Sequence, residues 1–361
     1  MGSAAAYHLA KRGLSVVAME QFVPGHDRGS SHGLTRIIRL AYFEHPSYVP
    51  LLRRAFALWR ELEAESGKEL LHVTGAIDAG EPGSRIFEGS LESCRLHRLT
   101  HEVLGGREVN ERFPGFNLPD DFKAVFQPDG GFLEPEKCIT AHTSLAAAHG
   151  AEVRSGCQVR GWRREAGRVV IQLDVEEVHA KQLVVCGGSW TPRLTPSLAP
   201  LLRPERQVVG WFGIEEPGAF RLGRFPVFVM TTPAGHYYGF PEFGVPGFKI
   251  GKYHHRAEAV DPDAPMRAAD AEDEAVLREC VQSYFRGANG PMVRSSPCIF
   301  TNTPDEHFII DRLPATPEVL VVSACSGHGF KFCSVVGEIV ADLIGDGRTA
   351  HDLSLFRLGR F

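Results

Sequence analysis

The sequence predicts an α/β protein (α+β over its two domains), in which a helix–strand layer is interleaved with a mainly antiparallel sheet. Three observations carry this reading. The chain opens as a helix followed by a short apolar strand, and the same grammar returns near residue 135. A strand, a Gly-rich turn and an apolar helix close the chain. Between these stretches the apolar pattern is short and strand-like, broken by Gly and Pro.

In order, the Ala-rich stretch Gly2 to Leu9 reads as a helix, with Gly13 where a helix stop belongs. LSVVAME is an apolar strand ending in Glu20, 18 residues after Gly2. A helix followed by a strand with a terminal acid is the second half of a dinucleotide-binding βαβ unit, in which the acid holds a ribose. Glu20 also reads as a surface acid ending an ordinary strand. The first strand and the first two glycines of Gly-x-Gly-x-x-Gly would lie before Met1. The expectation is therefore a longer natural chain, and two strands here left without ladder partners.

Residues 28 to 44, RGSSHGLTRIIRLAYFE, group His32, Arg36 and Arg39 in a basic, Gly/Ser-rich segment that by itself reads as a solvated loop. Tyr48, Leu51, Leu52, Ala55, Trp59 and Leu62 mark the core stripe of a helix ended by Gly67. From 71 to 133 the pattern is strand-like; a helix follows from Pro135 to His149, and then the strand AEVRSGCQV. QVRGWRR and RVVIQLD read as a hairpin, and KQLVVCGGSW as a buried strand running into Gly187, where backbone can approach a ligand. Residues 205 to 300 are strand-rich, centred on YYGFPEFGVPGFKIGKYHH.

The closing stretch organises the rest. CIFTNTPDEHFIID is followed by VLVVSACSGHGFK, then by a helix with Phe332, Val335, Val336, Ile339, Val340 and Leu343 on one face. The turn Gly327-His328-Gly329 points free N–H groups at whatever it admits, an arrangement that stabilises negative charge.

Composition excludes several classes. A net charge of −5 gives no reason to expect nucleic acid or an anionic membrane, and no apolar run reaches membrane-spanning length. The eight cysteines are scattered with no Cys-x-x-Cys pair, which argues against a metal site or a disulfide framework and fits the cytoplasm. No heptad or long apolar surface helix appears, so a monomer is expected.

GSSHGLTRIIRLAY, YYGFP with a following GFKIG, CIFTNTPDEHFIID and SGHGFKF occur in this order. In them, and over nearly the whole chain, the sequence resembles the flavin-dependent amine oxidases of the monomeric sarcosine oxidase family, with N-methyltryptophan oxidase and peroxisomal sarcosine/pipecolate oxidase. The resemblance implies a Rossmann-like FAD-binding domain made of residues 1–75, 135–204 and 301–361. A substrate domain would comprise 76–134 and 205–300. It also implies FAD tethered through a thioether to Cys298. Gly2, Glu20, Gly187, Gly327, His328, Gly329, Phe330 and Lys331 would contribute to cofactor binding.

For catalysis, Arg39 and Lys331 match the family's carboxylate-binding pair. Lys249 matches the lysine that activates oxygen through water. His32 and Arg36 match residues near the flavin ring, Tyr238 an active-site tyrosine, and His254 an active-site histidine, with His255 as the other possibility. Phe300 departs from the tyrosine that several relatives carry. The implied activity is oxidation of a small secondary amino acid (sarcosine, N-methyl amino acid or pipecolate type) to an imine, with O2 reduced to hydrogen peroxide. An inactive relative without FAD, and a flavin dehydrogenase with another electron acceptor, are the alternatives.

Overall fold

The computed structural model describes residues 1–361. Its mixed α/β architecture agrees with the class expected from the sequence. Helix Gly2–Lys11 stops at Arg12, and Gly13 follows at φ +77°. The small residues Ala4, Ala5 and Ala6 are buried. A Cβ on Gly337 of helix Cys333–Gly345 would meet the Ala4 carbonyl at 2.7 Å, so glycine is what lets the two helices cross this closely.

The helix–strand layer stands in separate sheets. Val17–Glu20 pairs in parallel with Glu152–Ser155, and Leu183–Val185 pairs in parallel with strand Thr316–Ser323. Strand Ile309–Leu313 lies antiparallel on the far side of the latter. Val17–Glu20 and Leu183–Val185 each have a strand neighbour on one side only. The hairpin Gly161–Glu165 and Arg168–Gln172 forms as expected, with Glu177–Ala180 as a third strand.

An eight-stranded sheet holds the other large core. Its order is Met292–Asn302, Arg203–Phe212, Phe248–Lys252, Gly235–Phe240, Val227–Thr232, Ala76–Gly80, Lys123–Gln127, Glu102–Gly105. All neighbours are antiparallel except Val227–Thr232 with Ala76–Gly80. Because side chains alternate along a strand, each strand serves both faces. Phe228, Tyr237, Phe248, Val208 and Ile77 enter an aromatic-rich core with Phe116, Phe225 and Phe285. Their sequence neighbours Val229, Tyr238, Lys249, Val209 and Asp78 face the opposite side.

Three helices fall where the sequence reads as strand. Arg85–His97 and Gly106–Arg112 interrupt the segment from 71 to 133, and Ala271–Tyr284 interrupts 205 to 300. Ala271–Tyr284 begins at Asp270, whose carboxylate accepts from the Asp273 N–H at 2.9 Å, and it covers the Phe-rich face with Leu277, Cys280 and Val281. At the C-terminus the α-helix proper starts at Cys333; Phe330–Phe332 form a 3-10 turn before it. All six residues of the expected apolar stripe are buried. No helix is long and apolar enough to cross a membrane.

Candidate active site

A cavity opens between two walls. One wall is the side of the large sheet opposite the Phe-rich core: Val209, Val229, Tyr238, Phe240, Ser296, Cys298 and Phe300. The residues 296, 298 and 300 share this wall because they are spaced by two along one strand. The other wall combines His32, Arg36, Ile37 and Arg39 with the turn Gly327 to Lys331. The segment that reads as a basic loop therefore contains a short strand, Arg36–Ile38, pinned by pairing with Gly131–Leu133.

Arg39 is 1% exposed and heavily engaged. Its Nη2 lies 3.1 Å from Glu44 Oε2, its Nη1 lies 3.4 Å from Asp78 Oδ2, and Nη1 also donates to the Ala41 carbonyl. Burial works against the charge, but Asp78 and Glu44 outweigh it and hold the guanidinium above its usual pKa. Lys331 Nζ donates to the His328 carbonyl at 2.8 Å and reaches Tyr42 Oη at 3.5 Å. Burial lowers its pKa to about 7. His328 Nε2 donates to the Glu306 carbonyl at 2.9 Å, which leaves Nδ1 to accept from Tyr42 Oη at 2.7 Å. Burial also keeps this ring neutral, lowering its pKa to about 4.

Lys249 is buried on the same sheet face as its register partner Phe240, with Nζ 4.5 Å from the Phe240 ring centroid and 5.2 Å from that of Trp211. It donates to the Gly33 carbonyl, to the Thr35 carbonyl at 3.2 Å and to Thr35 Oγ1 at 2.8 Å. Burial, with Arg36 as the next cause, depresses its pKa well below that of a free lysine. His32 is also held near-neutral by burial and then by Arg36, with a pKa of about 4, and its Nε2 has no partner. Arg36 is braced by the Thr35 and Ser30 carbonyls at 2.8 and 2.7 Å. Burial raises the Cys298 and Tyr238 pKa values.

The fold thus brings His32, Arg36, Arg39, Tyr238, Cys298, Gly327, His328, Phe330 and Lys331 to one cavity, with Lys249 buried beside it on the same sheet face as Phe240 and bound to Thr35. Gly329 lies inside the turn, where a Cβ would overlap the Ala324 carbonyl oxygen. Gly2, Glu20 and Gly187 do not line the cavity. Gly2 starts the first helix, Glu20 ends its strand and accepts from the Phe22 N–H at 2.9 Å, and Gly187 precedes a tight 3-10 turn.

The expectation for His254 does not match its placement. Its imidazole is 44% exposed and turned outward between Glu205, at 3.1 Å, and Glu306, at 2.8 Å, which raise its pKa to about 10. His255 is buried against Asp273 at 3.0 Å and does not line the cavity either. Tyr253 lines it instead, 5.3 Å from Tyr238 and 6.2 Å from Phe300 between ring centroids. Period-two counting from Lys249 through Gly251 reaches Tyr253 and not His254, so the signal was present in the sequence. Asp78, Glu44 and Tyr42 were also missed; a lone acid inside the otherwise apolar AIDAG was the sign of Asp78.

A family profile described as FAD dependent oxidoreductase matches residues 1–343. Over all of this chain and 94% of its own length, the monomeric sarcosine oxidase of Bacillus sp. (strain NS-129) is 42% identical. The N-methyl-L-tryptophan oxidase of Escherichia coli (strain K12 / DH10B) is 35% identical over all of this chain and 96% of its own. Among solved structures, a Tyr258Phe mutant of the amino acid oxidase NikD superposes with a TM-score of 0.84. That match covers 98% of this chain and 93% of the other at 24% identity, which speaks to the fold alone.

Proposed function

The chain belongs to the family of FAD dependent oxidoreductases, and on that premise we propose that it oxidises a small secondary amino acid of the N-methyl or cyclic type to its imine, with hydrogen peroxide as the second product. The observation that carries this is the pairing of two buried cations, Arg39 and Lys331, across one cavity from an apolar and aromatic sheet face. A carboxylate is what such a pair holds, through charge-assisted hydrogen bonds. The aromatic face of Tyr238, Phe240, Tyr253 and Phe300 accommodates the rest of a small amine and keeps water away from it.

The residues present fit FAD. His32 Nε2 is buried at the cavity without a partner, and Gly327, at φ +75°, and Gly329 leave room for backbone contact that a side chain would fill. His32, Arg36 and the Gly327–Gly329 turn would hold the ring, and Cys298 Sγ would tether it. When bound, FAD supplies the acceptor for the electron pair of the C–H bond next to nitrogen and delivers that pair to oxygen. Arg39 and Lys331 fix the carboxylate, which orients that C–H bond. Burial keeps His32 and His328 uncharged, so the amine meets no imidazolium beside it. Burial disfavours the charged form of Lys249. Its three donated hydrogen bonds, to the Gly33 carbonyl, the Thr35 carbonyl and Thr35 Oγ1, nonetheless take all three protons of an ammonium, which would supply positive charge where oxygen is reduced.

A panel of sarcosine, N-methyl amino acids and pipecolate, assayed for peroxide in air with the FAD-loaded protein, tests this reading. Peroxide formed in step with oxygen consumed is expected for at least one member. Oxygen consumption absent across the whole panel would contradict it.

A further inference from the structure

Asp78 so far figures only as a counter-charge to Arg39, yet its surroundings are unusual. It sits at 2% exposure in the middle of strand Ala76–Gly80, on the cavity-facing side of the sheet. Its Oδ2 accepts from Ser90 Oγ at 2.5 Å and lies 3.4 Å from Arg39 Nη1. Its Oδ1 is fully buried and has no partner, and neither does Arg39 Nε. Glu44 already engages Nη2 through both oxygens, at 3.3 and 3.1 Å. With both carboxylates ionised, they at least balance Arg39 and Lys331, whose ammonium burial holds down to a pKa of about 7, and an incoming anion meets no net positive field. With Asp78 protonated and Lys331 charged, one positive charge is left over and one edge of the guanidinium is released.

Resting on the reading that this cavity takes an amino acid carboxylate, we propose that Asp78 is a positioning residue that controls Arg39: ionised, it occupies the guanidinium, and a substrate carboxylate binds together with a proton taken up by Asp78. The groups facing Asp78 agree with this. Arg39, Glu44 and Lys331 approach from the cavity side, and Ser90 and Cys94 from helix Arg85–His97. The register neighbours on the two flanking strands are the apolar Val125 and Val229. Burial, which Arg39 and Ser90 offset only in part, raises the Asp78 pKa to about 6, so the proton is available near neutrality.

Calorimetric titration of the FAD-loaded protein with sodium acetate, in buffers of different ionisation enthalpy from pH 5.5 to 8, counts the protons taken up on binding. The wild type should take up more than about half a proton per acetate near pH 7, and its dissociation constant should rise through this range. Asp78→Asn should lose most of that uptake and bind acetate roughly fivefold or more tightly at pH 7.5. Ser90→Ala, which removes a hydrogen bond to the ionised form, should move the pH dependence upward and serves if the first variant folds poorly. Unchanged proton uptake and pH dependence in Asp78→Asn, or in Ser90→Ala, would overturn the proposal. An enzyme that shows the proton linkage but oxidises no secondary amino acid would refute the substrate reading and leave the role of Asp78 standing. An active enzyme without the linkage would do the reverse.

Discussion

Lys249 is an ammonium carried on a strand, kept out of water by Phe240 and Trp211 and bound to a single turn of backbone at residues 33–35. A charge held this way needs no reorganisation when negative charge develops beside it. Lys249→Met should therefore slow reoxidation by oxygen by about 100-fold or more while leaving anaerobic reduction by substrate within a few-fold of wild type. Stopped-flow measurement of the two half-reactions checks this, and equal slowing of both would remove the role. Cys298, between Ser296 and Phe300 on the cavity face, should hold the flavin covalently. Acid precipitation should leave the yellow colour in the wild-type pellet and release it to the supernatant from Cys298→Ser. At this scale the motifs named every basic residue that lines the cavity but passed over Tyr253, Ser296, Phe240 and the aliphatic lining. The exceptions have physical causes. His254 was chosen by residue type, whereas strand alternation delivers Tyr253 to the cavity and two carboxylates draw His254 outward. Asp78 escaped because one acid in a buried strand has no meaning until its partner Arg39, 39 positions away, is folded against it.

Among the elements, helix Ala271–Tyr284 shows best why the strand-rich reading of 205 to 300 was incomplete. Its buried positions are few, and three acids crowd its first turn, so its apolar stripe is faint in the sequence. What fixes it is charge pairing inside the protein. Asp273, fully buried, accepts from Arg206 Nη1 at 3.0 Å and Nη2 at 2.8 Å and lies 3.0 Å from His255 Nε2. Burial opposes its ionisation, but the Arg206 hydrogen bonds outweigh this and hold its pKa below the usual carboxylate range. A depressed carboxyl contributes stability that is fully present above its unfolded pKa of about 4 and is lost as pH falls below that value. Asp273→Asn should cost about 3–5 kcal/mol at pH 7, because Arg206 is left buried without its counter-charge. The difference from wild type should shrink as the pH is lowered toward 3; urea unfolding at the two pH values measures it. By contrast, helix Tyr48–Ser66 and its Gly67 stop, at φ +65°, were legible to the residue, since an apolar stripe and a left-handed cap are purely local signals.

At the level of the whole molecule, one sheet serves two purposes through alternation: its Phe-rich side builds a core, and its other side forms a wall of the cavity. The helix–strand layer supplies the turn Gly327 to Lys331, which forms the opposing wall together with the segment from His32 to Arg39. The overall α/β class could be read from the order of helix and strand signals. The way in which the sheet face and the 327–331 turn meet could not, since it depends on pairings such as Val229 with Asp78 that join distant segments. The account requires that the substrate be held by its carboxylate while its amine is oxidised. Rates of flavin reduction under anaerobic conditions, for a secondary amino acid and for the same amine lacking the carboxylate, test that requirement most directly. Sarcosine should reduce the flavin at least about 100-fold more efficiently than dimethylamine, in kcat/KM terms, with the advantage largely lost in Arg39→Lys. Equal efficiencies for the two compounds, or an advantage that survives in Arg39→Lys, would contradict it.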